Sequence, residues 1–268
     1  MTEAKMQESV EYKPGTFCWV ELGTSDSEAG KKFYTQLFNW SFEDHPMGPG
    51  MVYTMLKQNG KDVGALYQLT PEMTSAGVPP HWMSYVSVTS VDDSAAKAKE
   101  LGATLMKEPF DVSTVGRMAV VQDPTGAVFA LWQAGTHPGA GVVNVPNSLC
   151  WNELATKDAT KAGEFYTGLF GWGKNVQDMG TLLYTSFING DRPAGGMYEP
   201  TPEMGEVPSH WAVYFAVSDV DATAARAAEL GGKICVPPSD IPGVGRFAMI
   251  QDPQNAPFAV LKLTIPSA

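Results

Sequence analysis

The chain of 268 residues contains its own pattern twice. Cys18-Trp19-Val20-Glu21-Leu22 returns as Cys150-Trp151-Asn152-Glu153-Leu154, 132 positions on. Phe33-Tyr34-Thr35 with Leu37, Phe38 and Trp40 returns at the same spacing as Phe165-Tyr166-Thr167 with Leu169, Phe170 and Trp172. Thr70-Pro71-Glu72-Met73 returns 131 positions on as Thr201-Pro202-Glu203-Met204. His81-Trp82 returns as His210-Trp211, and Gln122-Asp123-Pro124 as Gln251-Asp252-Pro253, both 129 on. The shrinking offset places small deletions in loops, where the backbone tolerates them. Matches of this number and order do not arise by chance, so one copy's fold is also the other's.

The join falls in the Gly/Pro-rich stretch 134–147, which has neither a helical nor a strand period. The expected organisation is a polar tail over 1–14, a first copy over 15–133, the linker, and a second copy over 148–264. His137, in the linker, has no counterpart in the repeat and is expected to face water. Within a copy, a strand over 17–22 precedes a helix that Asp26 caps, with Ala29, Phe33 and Leu37 on one face. Short strands around 53–56 and 63–67 follow, then a Pro-rich loop over 70–80 and a strand over 81–88. A capped helix over 92–101 ends at Gly102, matched by Gly231, and strands run on to Trp132. Each copy is therefore two βαβββ modules, four in all, and the fold class is α+β.

Composition narrows the partners. The formal net charge is −11, the pI about 4.8, and the 18 Lys and Arg form no cluster. Such a surface repels phosphate backbones and anionic lipid, which argues against nucleic-acid and membrane partners. The 1–14 tail lacks the apolar core of a signal peptide, and no stretch has the length of a membrane span. The expectation is a cytoplasmic protein. Cys18, Cys150 and Cys235 are sparse, odd in number and without CxxC spacing, so they give neither a disulfide framework nor a zinc knuckle. No P-loop, dinucleotide fingerprint or GxSxG elbow is present.

Four βαβββ modules, with FYTxLFxW ending the first helix and a DP turn before the last strand, resemble the vicinal oxygen chelate superfamily. That group holds glyoxalase I, bleomycin-resistance proteins, fosfomycin-resistance enzymes and extradiol dioxygenases. The CWxEL and HW motifs look most like two-domain bacterial glyoxalase-like proteins often labelled hydroxylases. The resemblance implies two curved, cup-like mixed sheets with helices outside, each concave face holding a metal or a ligand. A metal there would chelate two adjacent substrate oxygens as a Lewis acid.

The positions that carry metal ligands in this superfamily mostly lack donors here. The resemblance places the first-strand ligand at Trp19 and Trp151, and the last-strand acid at Ala130 and Ala259. The end of the first module offers only Gly64, Ala65 and Leu66, or Gly195, Gly196 and Met197. Only His81 and His210 remain, and one imidazole does not hold a divalent ion. The expectation is no tightly held cofactor, with a divalent metal on His81 or His210 as the alternative.

Strand alternation selects what reaches the cup. Phe17, Trp19 and Glu21 share one face, as do Trp151 and Glu153, while Cys18, Val20 and Leu22 (and Cys150) share the packing face. His81 is in line with Met83 and Tyr85, and His210 with Ala212 and Tyr214. His81, His210, Glu21 and Glu153 are the candidates for acid–base chemistry. The plainer readings are a histidine tying the Pro-rich loop to its strand, and a glutamate in a structural hydrogen bond or in an ion pair, for which Arg117 or Arg246 is the candidate. Trp19, Trp151, Tyr85, Tyr214, Met83 and Trp132 are the candidate ligand-binding residues, the indoles as stacking platforms or as plugs. Trp40, Trp82, Trp172 and Trp211 are expected in the core. The TPEM loops are either lids or simple turn caps.

The leading expectation is a monomer, with a homodimer as the alternative, that binds and can transform a small organic molecule without a tightly held metal. Three rivals stand beside it: a metal-dependent lyase, isomerase or dioxygenase; a resistance-type protein that sequesters its ligand; and a structural protein with filled cups.

Overall fold

In the computed structural model, residues 11–264 are described; the 1–10 part of the polar tail lies outside them. The first copy runs β1 (Phe17–Thr24), α1 (Ser27–Phe38), β2 (Ser41–Gly48), β3 (Met51–Gln58), β4 (Lys61–Gln68), α2 (Pro71–Ser75), β5 (His81–Ser87), α3 (Val91–Glu100), β6 (Thr104–Val112), β7 (Gly116–Gln122) and β8 (Val128–Ala134). The second runs β9 (Leu149–Ala155), α4 (Ala159–Phe170), β10 (Gly173–Asp178), β11 (Leu183–Asn189), β12 (Arg192–Tyr198), β13 (His210–Ala216), α5 (Val220–Glu229), β14 (Lys233–Ile241), β15 (Gly245–Gln251) and β16 (Pro257–Leu263). A 3-10 turn, Pro202–Met204, stands where the first copy has α2.

Each copy makes its own eight-stranded mixed sheet, ordered β2-β3-β4-β1-β5-β8-β7-β6 and β10-β11-β12-β9-β13-β16-β15-β14. The two modules of a copy therefore pair with each other, through the antiparallel β1–β5 and β9–β13 ladders. Local signals set the helix starts: Asp26 and Asp158 accept hydrogen bonds from the third backbone N–H along, at 3.0 and 2.8 Å. The third helix begins one residue before the sequence expectation. Its cap is Ser90, and Asp92 sits in the first turn, where it meets Arg117.

The helices lie on the convex sides, and each copy's first helix is buried against the other copy. Val20, Leu22, Phe33, Tyr34, Phe38 and Trp82 form one apolar cluster with Val213, Phe215, Ile250, Phe258 and other residues of the second copy. The mirror cluster joins Phe165, Tyr166, Trp172 and Trp211 to Phe129, Val121 and their neighbours in the first. Polar ties run along this seam. Tyr34 donates its phenol proton to Asp252 Oδ2 (3.1 Å), and Tyr166 to Asp123 Oδ2 (2.8 Å). Trp82 and Trp211 donate to those tyrosines, and Ser84 donates to Asn152 Oδ1 at 2.7 Å. Trp40, Trp82, Trp172 and Trp211 are thus core residues, at the junction between the copies.

Candidate functional site

The site grows out of two bulged strands. In β1 the register with β5 shifts between Phe17 and Trp19, and in β9 the equivalent shift falls between Leu149 and Trp151. The extra residue is Cys18 or Cys150, and an extra residue reverses the alternation on one side of the bulge. This corrects the sequence expectation at three positions. Phe17 turns to the convex seam, against Trp172 and Trp211. Cys18 and Cys150 pack with the concave-side residues instead of the helices. Their thiols point at the carbonyls of Tyr85 and Tyr214, and burial pushes Cys150 up to about 12 and Cys18 higher still, so neither is a thiolate.

Beyond the bulge, Trp19 and Glu21 line the first cup and Trp151 and Glu153 the second. Each carboxylate is held by two phenols. Tyr85 donates to Glu21 Oε1 at 2.5 Å and Tyr53 to Oε2 at 2.9 Å. Tyr214 and Tyr184 do the same for Glu153. The indole N–H of Trp19 reaches Tyr53 Oη at 3.3 Å, and that of Trp151 reaches Tyr184 Oη at 3.1 Å. A third tyrosine, Tyr67 or Tyr198, stands across the β3–β4 or β11–β12 ladder from the second phenol. Burial raises both glutamate carboxyls above their ordinary value, and the phenol hydrogen bonds offset part of that rise. The same burial, with the carboxylate nearby, raises all six phenols.

Of the two plainer readings of the glutamates, the hydrogen bond is present and the pairing with Arg117 or Arg246 does not form. Arg117 bridges Asp92 and Asp111, and Arg246 bridges Asp221 and Asp240, all on the rim. Tyr53, Tyr67, Tyr184 and Tyr198 are the site residues that the sequence reading passed over. Their signal was present, since 53 and 184, and 67 and 198, keep the repeat spacing of 131.

His81 and His210 stand at the ends of β5 and β13, opposite Gly23 and Ala155, two positions along the cup face from Met83 and Ala212. Each ring donates from Nδ1 to the carbonyl of Pro79 or Pro208 at 2.8 Å. A carbonyl only accepts, so Nδ1 carries a proton, and in the neutral ring Nε2 is the acceptor. These histidines do tie the Pro-rich loop to the strand, and burial lowers His81 below the ordinary imidazole value. Met83, Tyr85 and Trp132 pack with Trp19 in the first cup; in the second, Ala212 and Leu261 replace Met83 and Trp132. His137 does not face water: its ring meets the Trp19 ring edge-on at 4.6 Å and lies 6.1 Å from Trp132. Thr70 caps α2 by accepting from Met73 N, so the first TPEM loop is a capped turn; Thr201 makes no side-chain cap bond.

The donor set does not suit a divalent ion. Among the described residues no three His, Cys, Asp or Glu side chains converge. Both oxygens of Glu21 are engaged by phenols, and the last strands present Ala130 and Ala259 to the cup. Three or four ligands are needed, and one carboxylate and one imidazole are what each cup offers. A cavity of about 500 Å³ lies at the second copy's loops, lined by Thr156, Lys157, Glu199, Glu206 and Pro208 among others. Neither Glu153 nor Trp151 belongs to it. No helix among the described residues is long and apolar enough to cross a membrane.

Comparison with known proteins fits this picture. "Putative glyoxylase CFP32" of Mycobacterium tuberculosis (strain CDC 1551 / Oshkosh) is 44% identical over 259 residues, covering 96% of this chain and 98% of that protein. "Anthracycline biosynthesis protein DnrV" of Streptomyces peucetius is 36% identical over 264 residues, covering 94% of each. The Mn(II)-bound glyoxalase from Novosphingobium aromaticivorans superposes with a TM-score of 0.65 at 17% identity, over 93% of this chain and 82% of that one. The 2,3-dioxygenase LapB from Pseudomonas sp. KL28 gives 0.63 at 12% identity, over 97% and 96%. At such identities the structures share the fold alone. The model of the Glyoxalase/Bleomycin resistance protein/Dioxygenase superfamily matches residues 16–131 and again 148–260, and the chain is a member of that superfamily.

Proposed function

We propose that this protein binds a small, partly apolar, oxygen-bearing organic molecule on a concave cup face, through a carboxyl–phenol cluster flanked by an indole and without a tightly held metal. The observation that supports this most is the Glu153–Tyr184–Tyr214 group beside Trp151, repeated as Glu21–Tyr53–Tyr85 beside Trp19. A carboxyl largely withdrawn from water needs partners, and most side-chain hydrogen bonds in proteins go to backbone or water. Here it is surrounded by phenols that can turn to a ligand's hydroxyl or carbonyl, next to a flat apolar ring. The relative named for anthracycline biosynthesis makes a fused hydroxyquinone a rational first probe.

The reading is tested with 1,4-dihydroxyanthraquinone, followed by tryptophan quenching and by melting temperature. Saturable quenching with a raised melting temperature supports it. No quenching and no shift at any concentration the probe allows would overturn it. The second reading, a metal-dependent enzyme, predicts chelator-sensitive turnover of a glyoxalase substrate such as the hemithioacetal of methylglyoxal and glutathione; turnover at background sets that reading aside.

A further inference from the structure

We infer that the second copy's cup is the ligand site and that the linker seals the first cup with His137. This rests on the small-molecule reading above and deepens it by choosing between the two cups.

The same polar groups stand in both cups; what surrounds them differs. In the first cup the linker turns back over β1. Ala140 donates its N–H to the carbonyl of Cys18 at 2.8 Å, and Tyr12 donates its phenol proton to the carbonyl of Ala140 at 2.8 Å. Trp132 donates its indole N–H to the carbonyl of His137 at 3.0 Å, which fixes the histidine ring edge-on against Trp19. The linker joins the two copies and is used once, so residues 11–264 hold no second copy of this plug over Trp151. In consequence Trp19 is 3% exposed and Cys18 fully buried, whereas Trp151 and Cys150 keep partly exposed surface.

Two further differences accompany it. The walls change in both directions: Met83 and Trp132 of the first cup become the smaller Ala212 and Leu261, while Met118 and Val120 become the larger Phe247 and Met249. The tyrosine facing the glutamate also sits differently. A Cβ added at Gly196 would stand 1.8 Å from Tyr184 Oη, so the phenol has sunk onto β12 where a side chain would be. Ala65 carries that methyl in the first cup, and Tyr53 cannot descend in the same way. The absent linker plug and the sunken phenol thus each leave room in the second cup that the first lacks.

The second cup's surface defines its ligand. Trp151, Phe247, Met249 and Leu261 offer a flat apolar wall, and Glu153 with its phenols offers hydrogen-bonding groups at one end. A planar, largely apolar molecule carrying hydroxyl or ketone oxygens on one edge matches that division.

Isothermal titration with 1,4-dihydroxyanthraquinone measures the stoichiometry directly. One equivalent per chain is expected, with at least a tenfold loss of affinity in Glu153→Gln. Two equivalents per chain, or unchanged affinity in Glu153→Gln, would overturn the assignment while leaving the small-molecule reading intact; no binding in the wild-type chain defeats both. Two further variants guard against misfolding of the first. Ala212→Met with Leu261→Trp places the first cup's bulkier side chains at these two positions, beside Phe247 and Met249, and is expected to abolish binding without lowering the melting temperature. Met83→Ala, Trp132→Leu and His137→Ala together unseal the first cup and are expected to raise the count from one to two; a count still at one in a folded triple variant contradicts the sealing role of these residues.

Discussion

Tyr166 of the second copy donates its phenol proton to Asp123 Oδ2 of the first, while the other oxygen of Asp123 accepts from the backbone N–H groups of Thr125, Gly126 and Ala127. One carboxylate therefore closes its own turn and anchors the neighbouring copy. Tyr34 and Asp252 repeat the arrangement from the opposite direction. Removing the phenol oxygen in Tyr166→Phe leaves the carboxylate buried with one partner fewer, which costs roughly 1–3 kcal/mol. Urea denaturation is expected to show that loss for Tyr166→Phe and a similar one for Tyr34→Phe. The two are expected to add in the double variant, because the pairs share no partner.

The raised carboxyls of Glu21 and Glu153 make stability depend on pH with a defined sign. A carboxyl whose folded pKa lies above its unfolded value holds its proton more tightly in the native state. Its favourable contribution is complete below the ordinary carboxylate value and is lost as pH rises through the folded value. Wild-type protein minus Glu153→Gln, compared by chemical denaturation, is therefore expected to favour the wild type more at pH 4 than at pH 7.5. The opposite order would show that the phenol hydrogen bonds, and not burial, dominate this carboxyl.

Gly196 is required by contact, since its missing side chain is the space that Tyr184 Oη occupies. Gly196→Ala forces the phenol out of its seat and breaks its bonds to Glu153 and Trp151. A destabilisation of about 1–3 kcal/mol is expected, typical for overpacking at a buried position. Binding of the probe should weaken in parallel, and denaturation together with titration separates the two effects.

Chelation is expected to change nothing. With Ala130 and Ala259 on the last strands and the carboxylates held by phenols, dialysis against EDTA should leave the melting temperature and the affinity for the probe unaltered. A fall in either, reversed by one divalent ion per chain, would contradict this.

Much of the cup was readable from residue order. Alternation along 81–85 separates His81, Met83 and Tyr85 from Trp82 and Ser84, and Trp82 and Ser84 do lie at the seam. The same rule failed at Phe17 and Cys18, because a bulge adds a residue without leaving a mark in the sequence. β2 escaped notice for a different reason: every residue from Ser41 to Gly48 is exposed, so it has no buried face to create a period. His137 was misread because nothing in a Gly/Pro-rich stretch tells where the chain returns. The pairing of Tyr34 with Asp252 spans more than two hundred positions, and periodicity within one copy holds no information about which surface of the other it meets.

The crossed tyrosine–aspartate ties have a consequence for how such a chain came about. Each half completes a buried turn that belongs to the other, and the two ties are related by the same exchange of halves. Two separate polypeptides of half this length could satisfy every one of those groups by embracing as identical partners, with no residue changed. A chain that carries both halves has what identical partners lack, a single segment that belongs to neither half, and here that segment touches one cup and not the other.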